Sequence, residues 1–238
     1  MRQISDEVFA EDFLFEVEIE TPLLPSPYAK LPYLVIENFL DDATCREIID
    51  QVQAIQDGSD AQLRSATHTD NQKIRKTKIH TLSSYHQDLY DKAFDTIREK
   101  IEHFFTLSLT QATKTQVLEY TAGSFYKPHS DDSSVLVDKS KSIIGFKQVA
   151  PTRKITTLLF VSEHCEKDPD TYQFCGGELS FSYFTNTQGE ALIIKPKMGS
   201  MIVFGSNPIY THEVKEVTDG FRVTVAQWHD GILATNNL

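Results

Sequence analysis

Cysteine is scarce in this chain. Its 238 residues contain three, Cys45, Cys165 and Cys175, with no CxxC spacing and an odd thiol left over. A disulfide-stapled secreted scaffold is thereby disfavoured, and a reducing cytoplasmic setting is the expectation. No apolar run approaches membrane-spanning length, so no membrane partner is expected. The acidic N-terminal stretch lacks the basic and apolar regions of a secretory signal. Basic residues are also in deficit, 23 against 34 acidic ones, for a formal net charge of -11. Such a surface repels phosphate backbones, which argues against nucleic acid as a partner. Internal repeats and low-complexity tracts are absent. So are GxGxxG, the P-loop, the GxSxG elbow and HExxH, and His212-Glu213 lacks the second histidine of a zincin.

What is present is an ordinary globular composition, 40% hydrophobic and 24% charged, long enough for one domain with an appended arm. Seven of the first twenty residues are acidic and only Arg2 is basic. Residues 13–20 alternate, with Phe15, Val17 and Ile19 opposite Glu16, Glu18 and Glu20, which predicts a half-exposed strand. Four prolines make 21–32 a rigid connector. A short strand is expected over 33–37. Asp41 or Asp42 then caps a helix bearing Ile48, Ile49, Val52 and Ile55 at helical spacing. A polar loop over 56–72 precedes a second helix over 87–105, with Leu89, Ala93, Ile97, Ile101 and Phe104/Phe105 as its buried stripe.

Beyond residue 113 the texture is short β-rich runs at 115–120, 155–162, 178–183, 191–194, 200–204, 213–217 and 221–228. Turn residues separate them without helical patterns, as in a β-sandwich or jelly roll. The expected organisation is an acidic arm over 1–32 and a single α+β domain over 33–238. In that domain, helical support (33–112) buttresses a β core (113–230).

A His-x-Asp pattern occurs three times, at His68/Asp70, His86/Asp88 and His129/Asp131. The first sits in a polar loop. The second lies at the start of a helix, where Asp88 serves as an N-terminal charge or cap. The third follows an expected strand, where residues i and i+2 share a face and can converge on one metal ion. Two histidines and one carboxylate form a facial triad that leaves positions open on Fe(II). His212, opening a strand after a Ser-Asn-Pro turn, is the natural second histidine. Ten residues on, Arg222 interrupts an apolar strand. A charge placed there needs an anionic partner, and its planar fork suits a carboxylate. Taken singly, His129/Asp131 also reads as a surface pair, Arg222 as a structural salt bridge, and Tyr120 and Trp228 as core aromatics. Cys165 and Cys175 flank a polar loop with no activating base beside them.

The ordered set of Tyr120, His129-Ser130-Asp131, Gly176-Gly177, Pro196 to Phe204, His212-Glu213-Val214 and Gly220-Phe221-Arg222 resembles the Fe(II)/2-oxoglutarate-dependent dioxygenases of the prolyl 4-hydroxylase type. The resemblance covers 113–230 well and 33–110 more loosely, and leaves the first thirty residues unmatched. It implies a double-stranded β-helix with His129, Asp131 and His212 as iron ligands. It implies that Arg222 pairs with the distal carboxylate of 2-oxoglutarate, assisted by Thr224 and Tyr120. Tyr126, Arg153 and Trp228 correspond to substrate-pocket positions. Phe160 stands where some relatives carry a cosubstrate-binding tyrosine, and the long segment 132–152 reads as a loop able to act as a lid.

The activity so implied is hydroxylation of an unactivated C–H bond, with O2 as the other cosubstrate and ascorbate as a reductant. A prolyl residue of a peptide or protein leads as substrate. A free amino acid or small metabolite is the alternative, and a non-catalytic β-helix binding module is the reading from a different class. Oligomeric state is not legible.

Overall fold

Helix formation begins where the sequence supplies caps. The structure, a computed structural model, describes residues 1–12, 30–55, 59–60, 74–140 and 142–233. The expected strand 13–20, most of the proline-rich connector and nearly all of the loop 56–72, including His68 and Asp70, lie outside these residues. Asp41 caps α1 (Asp42–Ala54) by accepting the Thr44 N–H at 2.8 Å. Ile48, Ile49 and Val52 are buried as expected, whereas Ile55 is the half-exposed C-cap.

The second helix, α2, spans Ser84–Phe105, and its cap is Ser83, whose Oγ accepts the His86 N–H at 3.2 Å. Asp88 is therefore not the cap and sits one turn inside. Thr106 closes the helix in the left-handed region at φ 55°. The fully buried face of α2 runs through His86, Tyr90, Phe94, Ile101 and Phe105, while Ala93, Ile97 and Phe104 are only partly covered. The expected stripe is thus rotated by one position at its N-terminal half, because tyrosine and phenylalanine reach the core from there.

The strands are β1 (Arg2–Gln3), β2 (Phe9–Ala10), β3 (Leu34–Ile36), β4 (Ser59–Asp60), β5 (Arg75–Lys76), β6 (Lys78–His80), β7 (Leu107–Ala112) and β8 (Gln116–Thr121). They continue with β9 (Phe125–His129), β10 (Ser133–Val137), β11 (Ile143–Gln148), β12 (Ile155–Phe160), β13 (Glu163–His164) and β14 (Gln173–Gly176). The last are β15 (Leu179–Thr185), β16 (Ala191–Ile194), β17 (Met201–Gly205), β18 (His212–Val214) and β19 (Val217–Leu233).

Among the described residues one sheet runs β3-β17-β12-β19-β8-β6-β4, with β7 and β14 also joined to β19. The other runs β1-β2-β15-β18-β9-β5, with β16 beside β15. Two differences from expectation stand out. The run expected at 213–217 divides, His212–Val214 belonging to one sheet and Val217 opening β19 in the other. Residues 132–152 are no loop: β10 and β11 form a hairpin there. None of the described helices is long and apolar enough to cross a membrane.

Period-two alternation on β19 explains how the layers assemble. Val223 and Val225 face α1 and α2 in one buried cluster. Ala226 and Trp228 face the second sheet in another, with Leu118, Leu158, Phe181 and Val214. The two sheets thus pack face to face, with the helices on the outer side of the larger one. This is the double-stranded β-helix with helical buttress.

His229 is held between these layers. It is stacked on Phe94 with ring centroids 4.7 Å apart, and its Nε2 lies 3.1 Å from the Thr157 hydroxyl. Burial pushes its pKa down from 6.5 to about 4. In the unfolded chain the imidazole protonates near its ordinary value, so below that pH the unfolded state takes up the proton first. Stability from this group is full above pH 6.5 and is lost as pH falls toward 4, by about 3 kcal/mol in all. The expected result is a melting temperature that drops over this window in wild type and drops less in His229→Gln. Parallel profiles for the two proteins would remove His229 as the cause.

Candidate active site

The register of three strands builds one wall of a cavity. Arg222 pairs with Tyr120 across β19 and β8, and Thr224 lies between Leu118 and Phe160. Ala226 lies between Gln116 and Leu158, and Trp228 faces Thr156. All these side chains point to the same face, since the alternating residues of β19 are occupied by the helix-side core. The opposite wall comes from β9 and β18, where His129 and His212 are direct register partners. The cavity between the walls measures about 560 Å³.

His129, Asp131 and His212 converge on it, each offering a ligand atom within 4.8 Å of the others. His129 Nδ1 lies 2.9 Å from the Lys127 carbonyl and His212 Nδ1 2.9 Å from the Tyr210 carbonyl. Carbonyls accept only, so both Nδ1 atoms carry protons and both Nε2 lone pairs are left for a metal. The Nε2 atoms stand 3.7 and 3.9 Å from the Asp131 carboxylate oxygens. Burial, and secondarily the neighbouring His212, pushes the His129 pKa down to about 3, which keeps it a neutral ligand. Burial alone would raise Asp131. His212, His129 and the Thr156 hydroxyl outweigh it and hold the carboxyl below its usual range. A borderline N,N,O set of this kind suits a first-row divalent ion with positions left open.

Asp131 is oriented from two sides. Thr156 donates its hydroxyl to Oδ2 at 2.7 Å, and Arg153 donates to the Asp131 carbonyl at 3.0 Å. Thr156 comes from a strand with no marking beyond β-propensity, and sequence reasoning missed it. Thr156→Val keeps the shape and removes the donor. It is expected to weaken metal binding or turnover about ten- to a hundredfold, as read by iron titration.

Arg222 is fully buried. Its Nε donates to the Gly177 carbonyl at 2.9 Å, and Nη1 lies 3.5 Å from the Thr224 hydroxyl. Nη2 has no acceptor among the described residues. Tyr120 lies under the guanidinium at 4.8 Å and Phe174 at 5.7 Å. Burial lowers the Arg222 pKa to about 10, still high enough to keep the charge near neutral pH. A charged fork with one unanswered nitrogen, on a residue that lines the cavity, fits a carboxylate, so the residues present suit 2-oxoglutarate. Gly177 makes room for this arrangement. At φ +63° a Cβ there would lie 3.0 Å from Arg222 Cδ and 2.8 Å from Val217.

Each residue expected at the substrate end also lines the cavity. Tyr126 stacks on His129 with ring centroids 3.4 Å apart, and Arg153 lies 4.1 Å over the Trp228 ring. Phe160 is buried on the same strand face as Leu158 and is paired to Thr224, so no phenol hydroxyl is offered there. Arg75 was not anticipated; it enters from β5, where neither periodicity nor a motif marks it. The hairpin β10–β11 contributes Ser133, Ser134 and Val135 to the lining. Of the other two His-x-Asp pairs, His86 packs at the start of α2 against Glu47 and Gln51, away from the cavity.

Residues 115–230 match the family model of the 2OG-Fe(II) oxygenase superfamily. Human prolyl 3-hydroxylase 2 is 27% identical over 214 residues, covering 82% of this chain but only 29% of that protein. Among solved structures, a prolyl hydroxylase from Trichoplax adhaerens, in complex with a hypoxia inducible factor peptide fragment, superposes with a TM-score of 0.62. It is 20% identical, with 83% of each chain covered. A Pseudomonas putida prolyl-4-hydroxylase gives a TM-score of 0.59 at 20% identity, over 83% of this chain and 92% of that one. The stretch 115–230 that matches the 2OG-Fe(II) oxygenase superfamily holds the two histidines, the aspartate and the arginine, and the chain shares the fold of the solved prolyl hydroxylases.

Proposed function

We propose that this chain hydroxylates a prolyl residue of a peptide or protein, with His129, Asp131 and His212 holding Fe(II). In this reading Arg222, with Thr224 and Tyr120 beside it, takes the distal carboxylate of 2-oxoglutarate. One observation carries the reading: a convergent His-Asp-His set and a buried arginine whose Nη2 has no partner among the described residues share one cavity. When bound, the iron, 2-oxoglutarate and O2 supply the oxidising chemistry, with succinate and carbon dioxide released and one oxygen atom placed in the substrate.

The protein's own residues orient and exclude. The Lys127 and Tyr210 carbonyls fix both imidazole tautomers, and Thr156 fixes the carboxylate. Leu118, Leu158 and Ala226 form a dry wall between the triad and Arg222. Tyr126, Arg153 and Trp228 form the substrate side. Val135 lines the cavity, and its hairpin goes on to expose Val137, Ile143 and Ile144 at 54%, 50% and 67%. That apolar ledge favours a peptide or protein over a free amino acid. A reducing compartment suits the three free cysteines.

The test is a screen of prolyl peptides, free proline and small metabolites for substrate-stimulated succinate formation, with mass spectrometry for a product one oxygen atom heavier. Prolyl peptides are expected to lead. Stimulation by free amino acids alone would move the substrate to the small-molecule class. Wild type that makes no more succinate than His129→Ala would leave a binding module.

A further inference from the structure

Arg222 is not the only buried arginine of the cavity with an unanswered nitrogen. Arg75 is 8% exposed, and its Nε has no acceptor among the described residues. It lies on β5, paired in register with Tyr126 of β9, and its guanidinium sits 4.6 Å over the Tyr126 ring. That ring stacks in turn on His129. The two arginines occupy different sheets, Arg222 on the wall formed by β19 and Arg75 at the end of the other.

Aromatic stacking holds the guanidinium in place but does not answer its Nε N–H, and leaving a buried charged donor unmet is costly. An arrangement of this kind is economical only when a ligand completes it. 2-Oxoglutarate answers Arg222. It offers no second free carboxylate for Arg75, because its other end is the metal-chelating one.

Charge points the same way. The described lining carries Arg75, Arg153 and Arg222 against Asp131 as the sole carboxylate, inside a chain whose net charge is -11. With a divalent cation and dianionic 2-oxoglutarate bound, the surplus positive charge remains.

We propose that Arg75 is a specificity-determining residue that binds a carboxylate of the substrate beside the reacting carbon. The proposal rests on the prolyl-hydroxylase reading and narrows it to acidic prolyl substrates. The carboxylate comes either from an Asp or Glu side chain next to the proline or from a free α-carboxylate at a terminal or free proline.

Trp228 is the only tryptophan and lines the cavity, so its fluorescence reports binding. The experiment is an anaerobic titration of the protein loaded with Fe(II) and 2-oxoglutarate, using matched probes. One pair is a prolyl peptide with Glu beside the proline and its Gln counterpart. A second is a peptide ending in proline as free acid and as amide, and a third is free proline and prolinamide. At least one carboxylate probe is expected to bind about tenfold or more tightly than its neutral partner. Arg75→Gln is expected to erase that preference, and Arg75→Lys to restore part of it. The pair that shows the preference identifies the source of the carboxylate.

Equal binding within every pair, or no carboxylate probe binding, overturns the proposal. So does a preference that survives in Arg75→Gln. Admitting O2 separates the two readings. A preference that depends on Arg75, without oxidation of any bound prolyl probe, sinks the prolyl reading and leaves the carboxylate site standing.

Discussion

Arg222→Gln is expected to raise the KM for 2-oxoglutarate by about thirty- to a thousandfold, equivalent to roughly 2–4 kcal/mol of lost pairing. The guanidinium is fully buried and belongs to a residue that lines the cavity, and its Nη2 has no acceptor among the described residues, so solvent does not make good the lost pairing. Glutamine keeps a donor but loses the charge and the two-pronged geometry. Arg222→Lys should recover part of the loss. Gly177→Ala should move the same parameter in the same direction by less, since its Cβ presses on Arg222 Cδ without removing the charge. Steady-state succinate assays across a 2-oxoglutarate series separate KM from kcat. A KM unchanged in Arg222→Gln would relocate the cosubstrate carboxylate elsewhere.

The other large effect belongs to the triad. His129→Ala, Asp131→Ala and His212→Ala are each expected to lower substrate-dependent succinate formation by more than about a hundredfold, since even partners behind a metal ligand are worth ten- to a hundredfold. Iron content of the purified variants and the weak visible absorption of the iron–2-oxoglutarate complex should fall together with turnover. A variant that keeps both full iron content and full turnover would exclude that residue from the ligand set. His86→Ala supplies the comparison, because its pair lies at the head of α2 and not in the cavity.

The site was legible wherever period-two alternation reached it. Arg222 and Thr224 sit on one face of an apolar strand in the sequence, and they share a cavity wall in the structure. The same logic separates His129/Asp131 from its two look-alikes, which follow no strand pattern in the sequence. Arg75 was invisible for the complementary reason: a two-residue strand carries no periodicity, and its partner Tyr126 is distant in sequence. The β10–β11 hairpin carries no strand signature in the sequence, because Val135, Leu136, Val137, Ile143 and Ile144 are all substantially exposed and no buried face imposes an in-out pattern. In α2, hydrophobic count favoured Leu89 and Ala93. The core instead took Tyr90 and Phe94, whose rings contact Phe39 and His229. Charge read from the whole chain was equally uninformative about the cavity, whose lining has the opposite balance.

The first ten residues have a role in the smaller sheet that their acidity does not suggest. Strand β15 offers one edge to β18 over Leu179, Ser180 and Phe181, and the remainder of that edge to β2 over Phe184 and Thr185. Val8 and Ala10 are buried there with Phe181 and Phe184. An open edge at this point would be a template for strand addition, the way many sheets recruit extended peptides through main-chain pairing. The N-terminal hairpin closes that template with the chain's own backbone, end to end with the strand that begins at His212. A guest strand is therefore denied main-chain pairing along this edge.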